Sequence, residues 1–449
     1  MERVMLITAP VTSRSGYGDH ARDLVHSFID HKDYVIKIID VPWGDTPRTA
    51  LDKNNEYDKQ IIDRILTNPQ LPSQPDVHVD IRIPNEFQPY GKYNIGITAG
   101  IETHAVSQLW IEGCNRMDLI IVPSEHSKNG FVQSVYDKLQ NLPDGKQQKL
   151  GEIKLEKPIE VLFEGVDTNV YKPLSSKEID TEFFDWLNDE VPERFAFLFV
   201  GQWIKGDYGE DRKDIGRMLK VFYESFANKK KQPALILKTS GAGFSILDRE
   251  ECKRKINLVK SKFPSDWKLP PVYLLHGDLS KEEMNYLYNH PKVKAMVSFT
   301  HGEGFGRPLL EASMVGLPVI ASNWSGQVDF LDSELSVLVG GTLGNVPQAA
   351  VWKDIIIPEG QWFTVNELEA YKIFNYVHKE IDVVKSKAKQ LLNINTEKFK
   401  LSDMTRELKN IVDKHTADLP KSVGLNLPKL KKVGESKQPK LELPKLKKV

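Results

Sequence analysis

Two hydrophobic rhythms alternate along this chain. Val4-Met5-Leu6-Ile7-Thr8 is a short apolar run of strand length. After the glycine-bearing turn Ser15-Gly16-Tyr17-Gly18-Asp19, the residues Ala21, Leu24, Val25, Phe28 and Ile29 recur at i, i+3, i+4, i+7 and i+8, which is one face of a helix. Strand-like runs follow at 34–39, 77–83, 94–98, 119–122 and 158–163, with helical stretches between most of them. That alternation predicts a doubly wound parallel sheet. Residues 137–157 are polar and Lys-rich and predict a surface insertion, and 164–173 carries the Gly and Pro punctuation of a linker.

The alternation restarts at Phe195-Ala196-Phe197-Leu198-Phe199-Val200, a buried strand ending at Gly201. Further strands are expected at 234–237, 272–275, 295–299 and 319–321. Ser280-Lys281-Glu282-Glu283 is a capping box, whose hydroxyl and carboxylate satisfy free N–H groups, so a helix should start there. Long helical stretches at 367–392 and 402–415 close the folded part. The expected fold class is α/β, with two Rossmann-like doubly wound domains.

Composition sharpens this picture. At 449 residues the chain is too long for one ordinary core and suits two α/β domains with an appendage. No run reaches the ~20 apolar residues of a membrane span, and the N-terminus leads directly into a strand, so the reading is a cytoplasmic protein with no signal peptide. Two cysteines, Cys114 and Cys252, make neither a disulfide framework nor a metal cluster. The formal net charge of -1 hides an asymmetry: residues 419–449 hold nine Lys and two Glu, a surplus of +7 that leaves -8 on the rest. That tail repeats itself, LNLPKLKKV at 425–433 and LELPKLKKV at 441–449. Such short Lys- and Pro-bearing units bury too little apolar surface to offset their ordering entropy, so a disordered basic tail is expected, a candidate docking segment for an acidic partner.

The chemistry concentrates in HGEGFGRPLLEASMVGLPVIAS, residues 301–322. Pro308 suits the first position of a helix, Gly316 its C-terminal cap, and Pro318 keeps the helix from running into the strand that follows. The first turn offers unpaired N–H groups and a positive dipole end to whatever lies over Gly304-Phe305-Gly306-Arg307, a place for a diphosphate. Glu311, about one turn into the helix, can accept hydrogen bonds from two ribose hydroxyls, and Glu303 can read hydroxyls of a transferred sugar.

This segment resembles the retaining GT-B glycosyltransferases of the "glycosyl transferases group 1" type, whose Glu-x7-Glu signature sits within EGFGxPxLEAMAxGxPVIAS. GVDTNVYKP at 165–173 is similar to that family's interdomain segment, Gly16-Tyr17-Gly18 stands where it places its first glycine loop, and YNIGITAGIET and MDLIIVPSEHSKNGF resemble its N-terminal domain. The resemblance covers roughly 1–415. It implies an acceptor-side domain over 1–168, a nucleotide-sugar domain over 169–400 facing it across a cleft, and a last helix, 402–415, crossing back to the first domain. It also implies a nucleotide diphosphate sugar as substrate, no bound metal or cofactor, and transfer with retention to an acceptor that is a carbohydrate, lipid, protein or nucleic acid.

Carried over residue by residue, the resemblance makes Lys213 the phosphate-binding lysine, Glu303 a sugar-reading acid, and His104 a residue that approaches the reacting sugar, the three candidates for catalysis. Glu311, Gly304, Phe305, Gly306 and Arg307 would bind the donor. The chain departs from the pattern after its first C-terminal-domain strand, where Gln202 stands in place of the family's Arg, so Arg212 or Arg307 is left to supply the second charge. Gly16 and Gly18 cradle the diphosphate, admit the acceptor, or only make a tight turn. Glu102, Asn323 and Gly326 are candidates for the acceptor side, and His276-Gly277-Asp278 for the nucleobase pocket or a plain turn. The alternatives are a GT-B epimerase or phosphorylase and a catalytically silent carbohydrate-binding protein.

Overall fold

The structure, a computed structural model, describes residues 3–142 and 146–419, so the tail repeats lie outside the described residues. Two six-stranded parallel sheets carry the fold. The first contains β1 (Val4–Ala9), β2 (Val35–Asp40), β3 (Val77–Ile81), β4 (Tyr93–Ile97) and β5 (Leu119–Val122). A hairpin of β6 (Tyr136–Asn141) and β7 (Gln147–Ile153) precedes its edge strand β8 (Ile159–Val161). The second sheet contains β9 (Ala196–Gln202), β10 (Ala234–Ser240), β11 (Val272–Leu275), β12 (Val293–Ser298), β13 (Val319–Ser322) and β14 (Val337–Val339). The second hairpin, β15 (Gly341–Asn345) with β16 (Gln361–Val365), follows it.

Except for β14, which the sequence reading does not expect, the strands of the two sheets lie where the apolar runs predict them, and β1, β3, β5 and β13 are almost wholly inaccessible. The second sheet has the order β11-β10-β9-β12-β13-β14, the Rossmann arrangement, in which the order reverses between β9 and β12. The first has the order β2-β1-β3-β4-β5-β8, and a single parallel bridge from Ile38 to Ile65 marks a vestigial strand outside β2. Its reversal lies between β1 and β3.

Helix Gly16–His31 starts earlier than its apolar stripe predicts, because the Ser15 hydroxyl accepts the Gly18 N–H and caps it. The capping box at Ser280 is present, with Glu283 reaching back to the Ser280 N–H at 2.7 Å. The helical stretch expected over 367–392 is two helices, Glu367–Lys379 and Ile381–Lys398, broken at Glu380. Between the sheets the chain crosses twice, and the two crossings pair: the Val166 N–H donates to the Phe399 carbonyl and the Leu401 N–H to the Val166 carbonyl, both at 2.9 Å. Helix Leu401–Thr416 then buries Met404, Leu408, Ile411 and Val412 in the core of the first sheet. Among the described residues no helix is long and apolar enough to cross a membrane.

Candidate functional site

In an open α/β sheet, ligands sit outside the carboxyl ends of the strands where the order reverses. In the second sheet that point is approached by the segments after β9 and β12, and these carry Lys213 and Glu303. The Lys213 ammonium donates to Glu303 Oε1, bringing the two together. Burial lowers the Lys213 pKa more than the Glu303 carboxylate restores it. An ammonium so placed is poorly solvated and gains from any anion that replaces water around it.

Lys213 is aimed by its loop. Asp211 Oδ1 accepts the N–H groups of Lys213 at 3.0 Å and Ile215 at 3.3 Å, and Asp214 takes a left-handed conformation with φ 46°. Burial, then the neighbouring Asp214, pushes the Asp211 carboxyl up to about 7. On the other side, Gly306 at φ 98° turns the chain into helix Arg307–Met314 with no side chain capping it; Pro308 has no N–H and the Leu309 N–H donates to the Gly306 carbonyl at 2.9 Å, so within the first turn it is the Arg307 N–H that stays available. Arg307 holds the first helical position and Pro308 the second; Gly316, at φ 76°, follows the helix C-terminus.

Glu311 is buried on this helix, accepting Arg307 Nε at 3.1 Å on Oε1 and the Tyr288 hydroxyl at 3.2 Å on Oε2. Burial raises its pKa against the pull of Arg307. Arg307 reaches across to the first domain, where its Nη1 donates to Asp23 Oδ2 at 2.5 Å. Burial would lower the Arg307 pKa, but the carboxylates of Asp23 and Glu311 more than reverse that. Glu164, in the crossing segment, is buried near the same charges, and burial pushes its carboxyl up to about 8.

The remaining candidates fall into three groups. Phe305 is 2% exposed and packs on Phe330 and Phe399, so its side chain belongs to the core. Gly304 and Gly326 serve close packing: a Cβ on Gly304 would lie 1.8 Å from the Ala99 carbonyl oxygen of the first domain, and the Gly326 N–H donates to the Glu303 carbonyl at 3.0 Å. Asn323 is exposed, its N–H bonded to the Val339 carbonyl.

A third group crosses between domains. Arg212 Nη1 donates to Glu102 Oε1 at 3.0 Å. His104 exchanges two hydrogen bonds with Gln361 at the start of β16: its N–H donates to the Gln361 carbonyl and its Nδ1 accepts the Gln361 N–H, each at 2.9 Å. With Nδ1 accepting, the neutral ring carries its proton on Nε2. Gly16 and Gly18 form the first turn of their helix, and the Gly18 N–H is already used by Ser15. Asp278 pairs with Arg14 across the cleft, while His276 Nε2 meets Asp248 at 2.8 Å.

Sequence reading missed Asp23, Glu164 and Tyr288. Asp23 had a signal: His20, Asp23 and Ser27 recur at i, i+3 and i+7, a polar stripe on a helix whose other stripe is core, and all three are buried.

Residues 215–350, less than half of the chain, match the family model described as "Glycosyl transferases group 1". No curated protein sequence matches the chain. Solved structures do. Sucrose-phosphate synthase from Thermosynechococcus elongatus superposes with a TM-score of 0.59 at 13% identity, covering 93% of this chain and 100% of that one. Anabaena HepE, in complex with UDP and glucose, superposes with a TM-score of 0.57 at 12% identity over 92% of this chain and 100% of HepE. A glycosyltransferase from Rickettsia africae gives 0.57 at 13% identity, covering 93% and 100%. The chain thus has the two-domain GT-B fold, and its second domain carries a segment that matches the glycosyl transferases group 1 model.

Proposed function

We propose that the protein is a retaining, metal-independent glycosyltransferase that takes a sugar from a nucleotide diphosphate donor. The observation that carries this reading is the meeting of Lys213 and Glu303 at the reversal point of the second sheet, in front of the open N-terminus of helix Arg307–Met314. A diphosphate there would take the Lys213 ammonium from Glu303 and receive the free Arg307 N–H of the first turn. Glu303 would then be released to the hydroxyls of the sugar, and Glu311 would hold the ribose. Arg212 is the better second cation, because its partner Glu102 lies in a half-exposed pair, whereas Arg307 is held between two buried carboxylates.

In the reaction the bond from the anomeric carbon to the phosphate oxygen breaks as the acceptor oxygen bonds the same face of that carbon. The acceptor proton passes to the departing phosphate oxygen. Lys213 and the Arg307 N–H at the start of the helix stabilise the charge that grows on the leaving group, which is where preorganised donors accelerate transfer most. His104, held through its Nδ1, presents Nε2–H toward the reacting sugar.

A panel of nucleotide sugars scored for nucleoside diphosphate release tests this. UDP-glucose is the first to try, since the similar HepE structures hold UDP, glucose and UDP-glucose. Release above background that falls in Lys213→Ala supports the reading; no release with any donor, or release indifferent to Lys213, overturns it. Analysis of the products separates transfer from epimerisation and phosphorolysis.

A further inference from the structure

Asp23 belongs to the first domain, yet its carboxylate ends inside the second. It is 3% exposed on helix Gly16–His31 and accepts Arg307 Nη1 at 2.5 Å, with the Lys281 ammonium 4.0 Å away. Burial works to raise its pKa, but Arg307 and Lys281 outweigh that and hold it below the usual carboxylate value. A chain of polar groups therefore runs from the partly exposed Lys281 through the buried Asp23 and Arg307 to Glu311 and Tyr288.

Counting lone pairs shows what this chain does for Glu311. A carboxylate offers about four acceptor sites. One on Oε1 is used by Arg307 Nε and one on Oε2 by the Tyr288 hydroxyl, which leaves one on each oxygen. Two adjacent ribose hydroxyls need that number. Arg307 takes only one site: its Nε donates to Glu311 while its Nη1 donates to Asp23, which fixes how the guanidinium is turned. Released from Asp23, the guanidinium can turn and bind Glu311 through two N–H groups, the bidentate arrangement that arginine and carboxylate favour, and this would consume a site that the ribose needs.

We propose that Asp23 is a positioning residue for the nucleotide: by holding Arg307 from the first domain it keeps Glu311, on the second, open to both ribose hydroxyls. The proposal rests on the donor reading given above. It makes recognition of the ribose depend on the two domains being together, although the nucleotide is bound by one of them.

The test compares the affinity of a nucleoside diphosphate with that of its 2′-deoxy form, using whichever of UDP, ADP or GDP binds most tightly. The wild-type protein should prefer the ribose form by about tenfold, the scale of one hydrogen bond to a charged group. In Asp23→Ala the ribose form should weaken to within about threefold of the deoxy form, whose own affinity changes little. Asp23→Asn, which keeps an acceptor but no charge, should fall between and decides the matter if the Ala variant does not fold. Combining Asp23→Ala with Glu311→Gln should add nothing to Glu311→Gln alone. Equal weakening of both nucleotides by the Asp23 substitutions, or an unchanged preference, overturns the proposal. If the wild-type protein has no ribose preference and Glu311→Gln changes nothing, it is the donor reading that fails.

Discussion

The two domains share a doubly wound parallel sheet but meet the cleft in different ways. In the second domain the chemistry comes from two segments at one reversal point, residues 211–214 after β9 and 303–311 after β12. In the first domain it comes from two places, Arg14 and Asp23 around the start of the first helix and Glu102 and His104 after β4, each residue bonded to the opposite domain. The same architecture can thus hold a ligand with a contiguous motif or hold its partner domain with scattered contacts. The second kind of arrangement is invisible until the chain is folded.

Phe305 gives the largest expected effect on this contrast, because it sits within the motif yet packs as core. Phe305→Ala should cost about 3–5 kcal/mol of stability, read as a fall in thermal midpoint; an unchanged midpoint with weakened donor binding would move the ring into the ligand site. Next is Lys213→Ala, expected to lower turnover by about 10²–10³ with a smaller change in donor affinity. If affinity falls and turnover does not, Lys213 binds the ground state and the transition state equally.

Glu164 tests the buried charges where the domains join. Its folded pKa of about 8 lies above the ordinary value of 4.5, so the folded protein keeps a proton that the unfolded chain has lost. Stability from this group is therefore greatest at low pH and falls as pH rises from about 4.5 to about 8, by at most ~1.4 kcal/mol per unit. Glu164→Gln should flatten denaturation midpoints across that window; an unaltered pH profile would show that Glu164 is not buried among those acids. The smallest effect belongs to Ser280→Ala, which removes the capping box of helix Lys281–Asn289 and should cost about 1 kcal/mol, read as a small fall in thermal midpoint; an unchanged midpoint would show that the cap adds nothing.

Every strand of the two sheets except β14 was legible because each is a short apolar run between turn residues, and the helix ends at Gly316 and Ser280 because their capping residues are local. β6, β7, β15 and β16 were not legible as strands: β6, β7 and β15 are largely exposed, and β15 is Gly341-Thr342-Leu343-Gly344-Asn345, with no alternation to read. The break at Glu380 escaped because neither Gly nor Pro marks it. Glu303 and Glu311 could be singled out from motif spacing and Lys213 from the resemblance, whereas the pairing of Lys213 with Glu303 depends on β9 and β12 being neighbours. Nothing local records that Arg307 would be claimed by Asp23, 284 positions earlier.

The most direct measurement is a crystal structure of the chain with the nucleotide sugar that gives the most nucleoside diphosphate release in the donor panel. The account predicts the diphosphate over Gly306 and Arg307, Lys213 Nζ moved from Glu303 to a phosphate oxygen, and the ribose on Glu311. A nucleotide bound elsewhere, with the Lys213–Glu303 pair intact, would contradict it.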